Sequence, residues 1–152
     1  MANTQSMCTS FMQELMTGTH NFTTGTGDTF KAALYLTSAT YNAATTAYSA
    51  TGEVSGTGYT AGGVAVTNGT SPLSTNTSAT AGTAYWTPSA SITYTSVTLS
   101  TAFDAVLIYN SSKSDKAVSV HTFGSQTVTA GTFTLTMPSN TTSTALIRLA
   151  TT

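Results

Sequence analysis

The chain has 152 residues, four basic and five acidic side chains, and a formal net charge of -1. This length is typical of a single domain that buries about 70% of the surface exposed by its unfolded chain. Four basic residues are too few for a protein that neutralises the ~6–10 phosphates of a DNA site. No run approaches the ~18 apolar residues of a membrane span, and the first residues lack a basic targeting segment. We therefore expect a chain made in the cytoplasm, with no nucleic acid and no membrane as partner.

Hydroxyl side chains dominate the composition, with 37 Thr and 19 Ser residues. Thr is stiff at its first side-chain torsion and favours the pleated, half-buried surface of a strand. The segment from Thr132 to Met137 alternates Thr with single apolar residues, which places hydroxyl groups on one face and hydrocarbon on the other. The composition predicts a β protein whose surface is wetted by hydroxyl groups.

An N-terminal helix is predicted by apolar residues at three-to-five-residue spacing, namely Met7, Cys8, Phe11, Met12, Leu15 and Met16. We expect Thr17-Gly18 to end this helix. The Met-rich face either caps one end of the β core or contacts another subunit, because Met adapts readily to a partner's groove. Cys8 is the only cysteine, which excludes an intramolecular disulfide and favours a buried structural thiol.

Strand patterns fill the next part of the chain. Thr29 to Leu36 alternates as a strand does. Residues 38–63 are rich in Ala, Thr, Tyr and Gly, which predicts a long, ordered surface loop. Val64 to Thr67 is predicted as a short strand, followed by a tight hairpin turn at Asn68-Gly69.

The second half of the chain contains the best core strand. Ala84 to Thr87 is an edge strand or ends at Pro88, because proline donates no hydrogen bond to a sheet. Ser91 to Leu99 changes phase, which indicates a β-bulge. Asp104 to Tyr109 is the most continuously apolar run and is predicted to be central. The polar turn Asn110 to Lys116 then predicts a hairpin, and further strands are expected at 117–123, 127–129, 132–137 and 144–149.

These eight or nine short strands predict an all-β fold, a two-sheet antiparallel β-sandwich of jelly-roll or Greek-key type with one short N-terminal helix. We expect one domain, with residues 1–18 as the N-terminal helix or arm and residues 19–152 as the sandwich. The pattern leaves the strand order open.

No group of residues forms a recognisable chemical site. His20 and His121 are the only imidazoles, and neither lies in a metal-ligand spacing with Cys8 or an acid. A Ser-His-Asp arrangement through His121 and Asp104 can be drawn, but Ser is too abundant for the match to be informative, and no nucleophile-elbow motif is present. We predict no catalytic residue, no cofactor and no metal.

The few charged residues are predicted to form solvated pairs, Asp28 with Lys31 and Asp115 with Lys113 and Lys116. Arg148 lies between Ile147 and Leu149 on a predicted strand. It is either a surface residue or part of an interface, where Arg is enriched.

Four segments of the chain resemble a known family of viral proteins: His20 to Thr23, Asp28 to Tyr35, Glu53 to Gly63 and Ala105 to Val120. They are similar to small virion structural proteins of tailed bacteriophages, over residues 18–149. The resemblance implies a capsid decoration or cement protein with a β-sandwich or jelly-roll fold, bound in many copies to the outside of the head where capsomers meet. It implies the major capsid protein as partner and a homo-oligomer, a dimer or trimer. It carries no catalytic residue.

For the contact with the shell we predict aromatic and Met side chains and one Arg, namely Tyr41, Tyr48, Tyr59, Trp86, Arg148, Met12 and Met16. An alternative function is a head-fibre or tail-fibre module that stacks host glycans on exposed tyrosines such as Tyr41, Tyr48 and Tyr109. A third class, an enzyme that attacks cell-wall polymer, requires a cleft with perturbed carboxylates.

Overall fold

The structure is a computed structural model that describes residues 2–151. In chain order its elements are β1 (Ser6–Met7), α1 (Thr9–Met16), β2 (Phe30–Leu36), β3 (Val64–Val66), β4 (Leu73–Ser74), β5 (Thr83–Trp86), β6 (Ile92–Asn110), β7 (Lys116–Leu135) and β8 (Ile147–Ala150). The strands form two antiparallel sheets, one in the order β1-β7-β6-β2-β3 and one in the order β4-β5-β8. The predicted all-β fold with two sheets and one short N-terminal helix is confirmed.

One hairpin, made of β6 and β7, forms the centre of the larger sheet. Its strands contain 19 and 20 residues, where the sequence predicted a series of short strands. The apolar run from Asp104 to Tyr109 lies in β6 between β7 and β2, as predicted. The predicted turn after it is also present, and Ser114 and Asp115 adopt positive φ angles of 54° and 56° there.

The long hairpin doubles back on itself. Phe123 and Phe133 are ten residues apart in β7, a separation of ~33 Å in a straight strand, yet their ring centroids are 5.3 Å apart. Irregular pairing allows this bend: the register shifts between Tyr94 and Val97, and Ser96 and Ala130 have positive φ angles of 54° and 45°. The bulge predicted in this region is confirmed, and such bulges are a usual way to bend a strand.

The first face of the larger sheet is covered by α1 and the three-stranded sheet. On β2 this face carries Phe30, Ala32 and Leu34, because alternate side chains point to the same side. Phe22 stacks on Phe30 with centroids 4.4 Å apart, and Trp86 packs against Phe22 at 4.8 Å. These aromatic contacts join the two sheets into a sandwich.

The second face is covered by the 38–63 loop. Isolated bridges attach this loop to the sheet, between Glu53 and Tyr35 and between Thr57 and Thr98. Tyr41 packs against Tyr35 with ring centroids 3.7 Å apart. The loop is ordered, as predicted, but its aromatic side chains point into the protein, so it closes the core instead of lying loosely on the surface.

Two local predictions need correction. The segment at Asn68-Gly69 is not a hairpin turn, because β3 pairs with β2 whereas β4 pairs with β5, so this segment connects the two sheets. The last strand begins at Ile147, three residues later than predicted. β5 does end before Pro88, as predicted, and it occupies the middle of its sheet.

Candidate functional site

Most tyrosine hydroxyl groups hold the 38–63 loop or its neighbours in place. Six of the seven tyrosines donate a hydrogen bond within the protein, namely Tyr35, Tyr41, Tyr48, Tyr59, Tyr94 and Tyr109. We call these six residues the tyrosine cluster. Tyr94 donates to the carbonyl oxygen of Ala32 and Tyr109 to that of Gly62, each at 2.8 Å. Buried hydroxyl groups require such partners, and here the partners lie mostly on the loop.

Glu53 is the acceptor at the centre of the tyrosine cluster. Its two carboxylate oxygens accept hydrogen bonds from Tyr48 and Tyr59, both at 2.7 Å, and from the backbone N–H of Gly62 at 2.8 Å. Burial, followed by the hydrogen bond to Glu53, raises the pKa of both Tyr48 and Tyr59 above its ordinary value. The tyrosines are therefore neutral donors and Glu53 is a structural carboxylate.

Two glycines let the loop approach β6 closely. A Cβ atom at Gly56 would lie 2.0 Å from the carbonyl oxygen of Thr98, and one at Gly58 would lie 2.3 Å from that of Ser96. Both distances are far below van der Waals contact, so a side chain at either position would push the loop away from the strand.

A second polar group, which we call the Glu14 network, joins α1 to the turn of the long hairpin. It contains Glu14, His20, Asn110, Asp28 and Lys116. Asn110 donates through Nδ2 to His20 Nδ1 at 2.9 Å, so Nε2 of His20 carries the hydrogen and donates to Glu14 at 2.7 Å. Lys116 also donates to Glu14. The network resembles a catalytic relay in composition, but each member is engaged with another member of the network.

Hydrogen bonding stabilises the charged carboxylates of this network. Burial alone would raise the pKa of Glu14, but the hydrogen bonds from Lys116 and His20 outweigh it and hold the pKa below its usual value. The pKa of Asp28 is also lowered, because hydrogen bonds from Asn21 and Asn110 outweigh the effect of burial. Both groups are ionised at neutral pH. Glu14 ties α1 to Lys116 and His20. Asp28 ties the segment before β2 to Asn110 and Lys113.

The predicted charge pairs are wrong in their partners. Among residues 2–151, Asp28 pairs with Lys113 at 3.7 Å instead of Lys31, and Lys116 pairs with Glu14 instead of Asp115. The sequence favours neighbours along the chain, whereas the fold brings α1 and the segment before β2 onto the hairpin turn.

The remaining candidates for chemistry also have structural partners. Ser119 lies 2.9 Å from Nε2 of His121, and burial lowers the pKa of His121 to about 4. Asp104 accepts a hydrogen bond from Asn3, and within residues 2–151 no hydrogen bond joins Asp104 to His121, so the Ser-His-Asp arrangement is not assembled. Burial, followed by the charge of Glu14, raises the pKa of Cys8 to about 11. Within the described chain no cluster of three or more His, Cys, Asp and Glu side chains is placed to hold a metal ion.

The predicted contact residues fall into two sets. Tyr41 and Trp86 are buried, with 7% and 2% of their surface exposed, and Tyr48 and Tyr59 are half-buried in the tyrosine cluster. None of these four is available as an exposed anchor, because their hydroxyl or indole groups are bonded inside the protein. The aromatic positions expected of a glycan-stacking module are internal for the same reason. Met12, Met16 and Arg148 are exposed.

An apolar groove lies between elements that carry exposed apolar side chains. The large hydrophobic side chains found exposed in residues 2–151 lie on α1 and the three-stranded sheet: Met12 (43%), Met16 (82%), Leu73 (47%) and Leu149 (47%). Between these elements runs a cavity of about 110 Å³, which we call the apolar groove, lined by Phe11, Leu15, Phe22, Pro72, Ala84, Tyr85, Trp86, Ile147 and Leu149. This groove is the candidate binding site.

Each side of the apolar groove follows from a local pattern. On α1, Phe11 and Leu15 are four residues apart and line the groove, while Met12 and Met16 form the neighbouring stripe. On the other side, β8 is an outer strand of its sheet and presents Ile147 and Leu149 toward the groove. The Met-rich face found in the sequence is a usable signal for this site. The contribution of Leu149 has no such signal, because it depends on how the sheets pack.

α1 is the one helix in residues 2–151, and it is too short to cross a membrane. No family model, no curated protein and no solved structure matches the chain.

Proposed function

We propose that the chain is a non-enzymatic virion structural protein that decorates and stabilises the outside of a phage head. In this proposal many copies bind where subunits of the major capsid protein meet. Each copy attaches through the surface formed by α1, the apolar groove and β8, and the protein acts as a small homo-oligomer.

The observation that carries the proposal is the exposure of Met12 and Met16 on α1 and of Leu149 on β8, the two elements on either side of the apolar groove. Met16, with 82% of its surface exposed, gains nothing from this position in an isolated protein. Exposed apolar patches of this kind mark interaction sites. Met is well suited to a protein partner because its flexible thioether adapts to the opposing surface.

The charge distribution supports a role in close packing among neighbours. With nine charged side chains in 152 residues, few contacts require an ion to lose its water. Short Thr and Ser side chains also lose little rotational entropy when they are covered. Repeated weak contacts on one shell add strength, because later contacts of a multivalent assembly are intramolecular.

The internal use of polar residues also favours this proposal over the alternatives. The carboxylates with lowered pKa, Glu14 and Asp28, are bound by their neighbours, and the tyrosine cluster has its hydroxyl groups bonded inside. The protein's free surface is therefore mainly hydroxyl and hydrocarbon, which suits adhesion to another protein.

The direct test mixes purified protein with empty heads of the virus that encodes it and measures binding by sedimentation and electron microscopy. We expect saturable binding and density spread over the icosahedral lattice. Density confined to the tail, or no binding to heads, would refute the proposal.

A pair of double variants locates the contact. Met12→Gln with Met16→Gln is expected to weaken binding to heads at least tenfold. The matched control, Thr127→Gln with Thr129→Gln, changes two exposed residues of β7 and should leave binding unchanged. Equal loss in both double variants would contradict the assignment of the contact to the α1 end.

A further inference from the structure

We infer that the outer edge of β8, together with the apolar groove beside it, binds an extended segment of a different protein that carries alternate apolar side chains and a carboxylate. The inference describes how the proposed shell contact is made, and it rests on that proposal for the identity of the partner. The binding mode is the addition of one strand to the three-stranded sheet.

The backbone of β8 provides the first part of the site. In the order β4-β5-β8, β8 has a partner only on its β5 side within residues 2–151. Its residues from Arg148 to Ala150 are exposed. An outer strand presents a row of N–H and C=O groups, and an added strand satisfies this row in one step.

The apolar groove provides the second part. Ile147 pairs with Trp86 and Leu149 with Ala84 across the two strands, so these four side chains share one face, and all four line the groove. Leu149 is 47% exposed on its open side. Because side chains of neighbouring strands on one face lie about 5 Å apart, an added strand would place an apolar residue against Leu149. Covering this exposed surface stabilises the complex through the hydrophobic effect.

Arg148 determines which kind of strand fits. It is the only charged residue in the three strands of this sheet, and it shares the outer face with Tyr85. It forms no ion pair among residues 2–151, and its hydrogen bond to the carbonyl oxygen of Thr142 is long, at 3.5 Å. A carboxylate on the added strand, directly opposite Arg148, would form an ion pair with its guanidinium group.

The same charge argues against a second copy of this chain as the occupant. In an antiparallel pairing of two β8 strands that uses three of their four residues, the two Arg148 side chains share a face and lie opposite each other or two positions apart, where like charges are destabilising. In the pairing that uses all four residues, Arg148 of each copy lies opposite Leu149 of the other, which places a charge against the apolar face of the strand. The partner strand therefore comes from another protein.

The test uses two synthetic peptides with the sequence Ser-Val-Thr-Val-Asp-Val-Thr-Val-Ser and the same sequence with Lys in place of Asp. Trp86 is the only tryptophan and lines the groove, so its fluorescence reports binding. Backbone hydrogen exchange then locates the contact. We expect the Asp peptide to bind saturably about fivefold more tightly than the Lys peptide, with new protection of the amides of residues 147–150.

A charge exchange tests the role of Arg148. In the Arg148→Glu variant the preference should reverse, so that the Lys peptide binds about fivefold more tightly than the Asp peptide. The matched control is Lys31→Glu, which makes the same charge change on β2 in the other sheet and should keep the original preference. An unchanged preference in Arg148→Glu, or protection outside residues 147–150, would overturn the inference.

Two further outcomes also decide against it. Failure of both peptides to bind refutes strand addition at β8, as does a dimer in light scattering that the Leu149→Glu variant abolishes. Neither result depends on capsids, so shell binding that persists alongside a negative peptide test would retain the proposed function and remove only the β8 mechanism. Peptide binding without shell binding would retain strand addition at β8 and remove the proposed function.

Discussion

The two faces of the larger sheet are covered in different ways. The 38–63 loop covers one face and is joined to it by the tyrosine cluster, whose hydroxyl groups are bonded to the loop, to the sheet backbone or to Glu53. The other face is covered by α1 and the three-stranded sheet, whose contact is aromatic and whose outer rim leaves Met16 and Leu149 exposed. The first cover uses its polar groups internally. The second leaves apolar side chains exposed. In the proposed function, stability and binding therefore belong to opposite sides of one sheet.

The largest expected effect comes from separating the loop from β6. Gly56→Ala places a methyl group 2.0 Å from the carbonyl oxygen of Thr98, so loop or strand must move, and we expect a loss of more than about 3 kcal/mol in the free energy of unfolding. Urea denaturation measures it. Gly124→Ala is the matched control, because no atom lies within 4 Å of the position that its methyl group would take, and it should change stability by less than about 0.5 kcal/mol. Equal effects would show that the loop does not depend on this close approach.

Removing the charge at the centre of the tyrosine cluster should have the next largest effect. Glu53→Gln replaces one of two acceptor oxygens by an amide donor, which leaves one of its three hydrogen bonds unmade and costs about 2 kcal/mol. Hydrogen exchange should show faster opening of the 38–63 loop than of α1. Asp115→Asn, an exposed carboxylate, serves as control. If hydrogen exchange in the 38–63 loop and in α1 becomes faster by the same factor, the role of Glu53 is not limited to holding the loop.

The α1 side can be weakened through the Glu14 network. Because the pKa of Glu14 is lowered in the folded state, its contribution is present above the unfolded pKa of about 4.3 and is lost as pH falls through the folded pKa. Glu14→Gln should cost about 1 kcal/mol at pH 7 and flatten the loss of stability below about pH 4.3. Urea midpoints between pH 2 and 7 measure this. If the free energy of unfolding falls equally steeply with acid in the variant and the wild type, Glu14 does not make this pH-dependent contribution.

The smallest effect on folding is expected at the binding surface. Met16→Gln changes a side chain that is 82% exposed, so the free energy of unfolding should change by less than about 0.5 kcal/mol. Thermal unfolding by circular dichroism measures it. A loss above about 1 kcal/mol would show that Met16 supports the fold, and the contrast between the two covers would then fail.

The sequence predicts individual elements better than their partners. Asp104 to Tyr109 is identified as central because a strand buried on both sides has a nearly continuous apolar pattern. The pairing of Lys116 with Glu14 escapes prediction, because 102 residues separate them and only the packing of α1 on the hairpin turn brings them together. The contact role predicted for Trp86 meets the same difficulty, since an aromatic residue in a strand has one local pattern whether it faces solvent or core. For α1 the sequence groups Met12 and Met16 with Phe11 on one apolar face and leaves open whether that face caps the core or contacts a subunit. The packing of the helix decides that Phe11 is buried and that the two Met side chains are exposed.

The amino-acid sequence alone determined the all-β class, the hydroxyl-rich and nearly uncharged surface, and the N-terminal helix. These properties follow from side-chain type and from periods of two and 3.6 residues, which act between near neighbours. Only the tertiary structure decided that the long hairpin doubles back, that the tyrosines point inward around Glu53, and that the strand carrying Arg148 and Leu149 is an outer strand of its sheet. Each of these depends on contacts between residues far apart in the chain, and their free energies exist only once the sheets have packed.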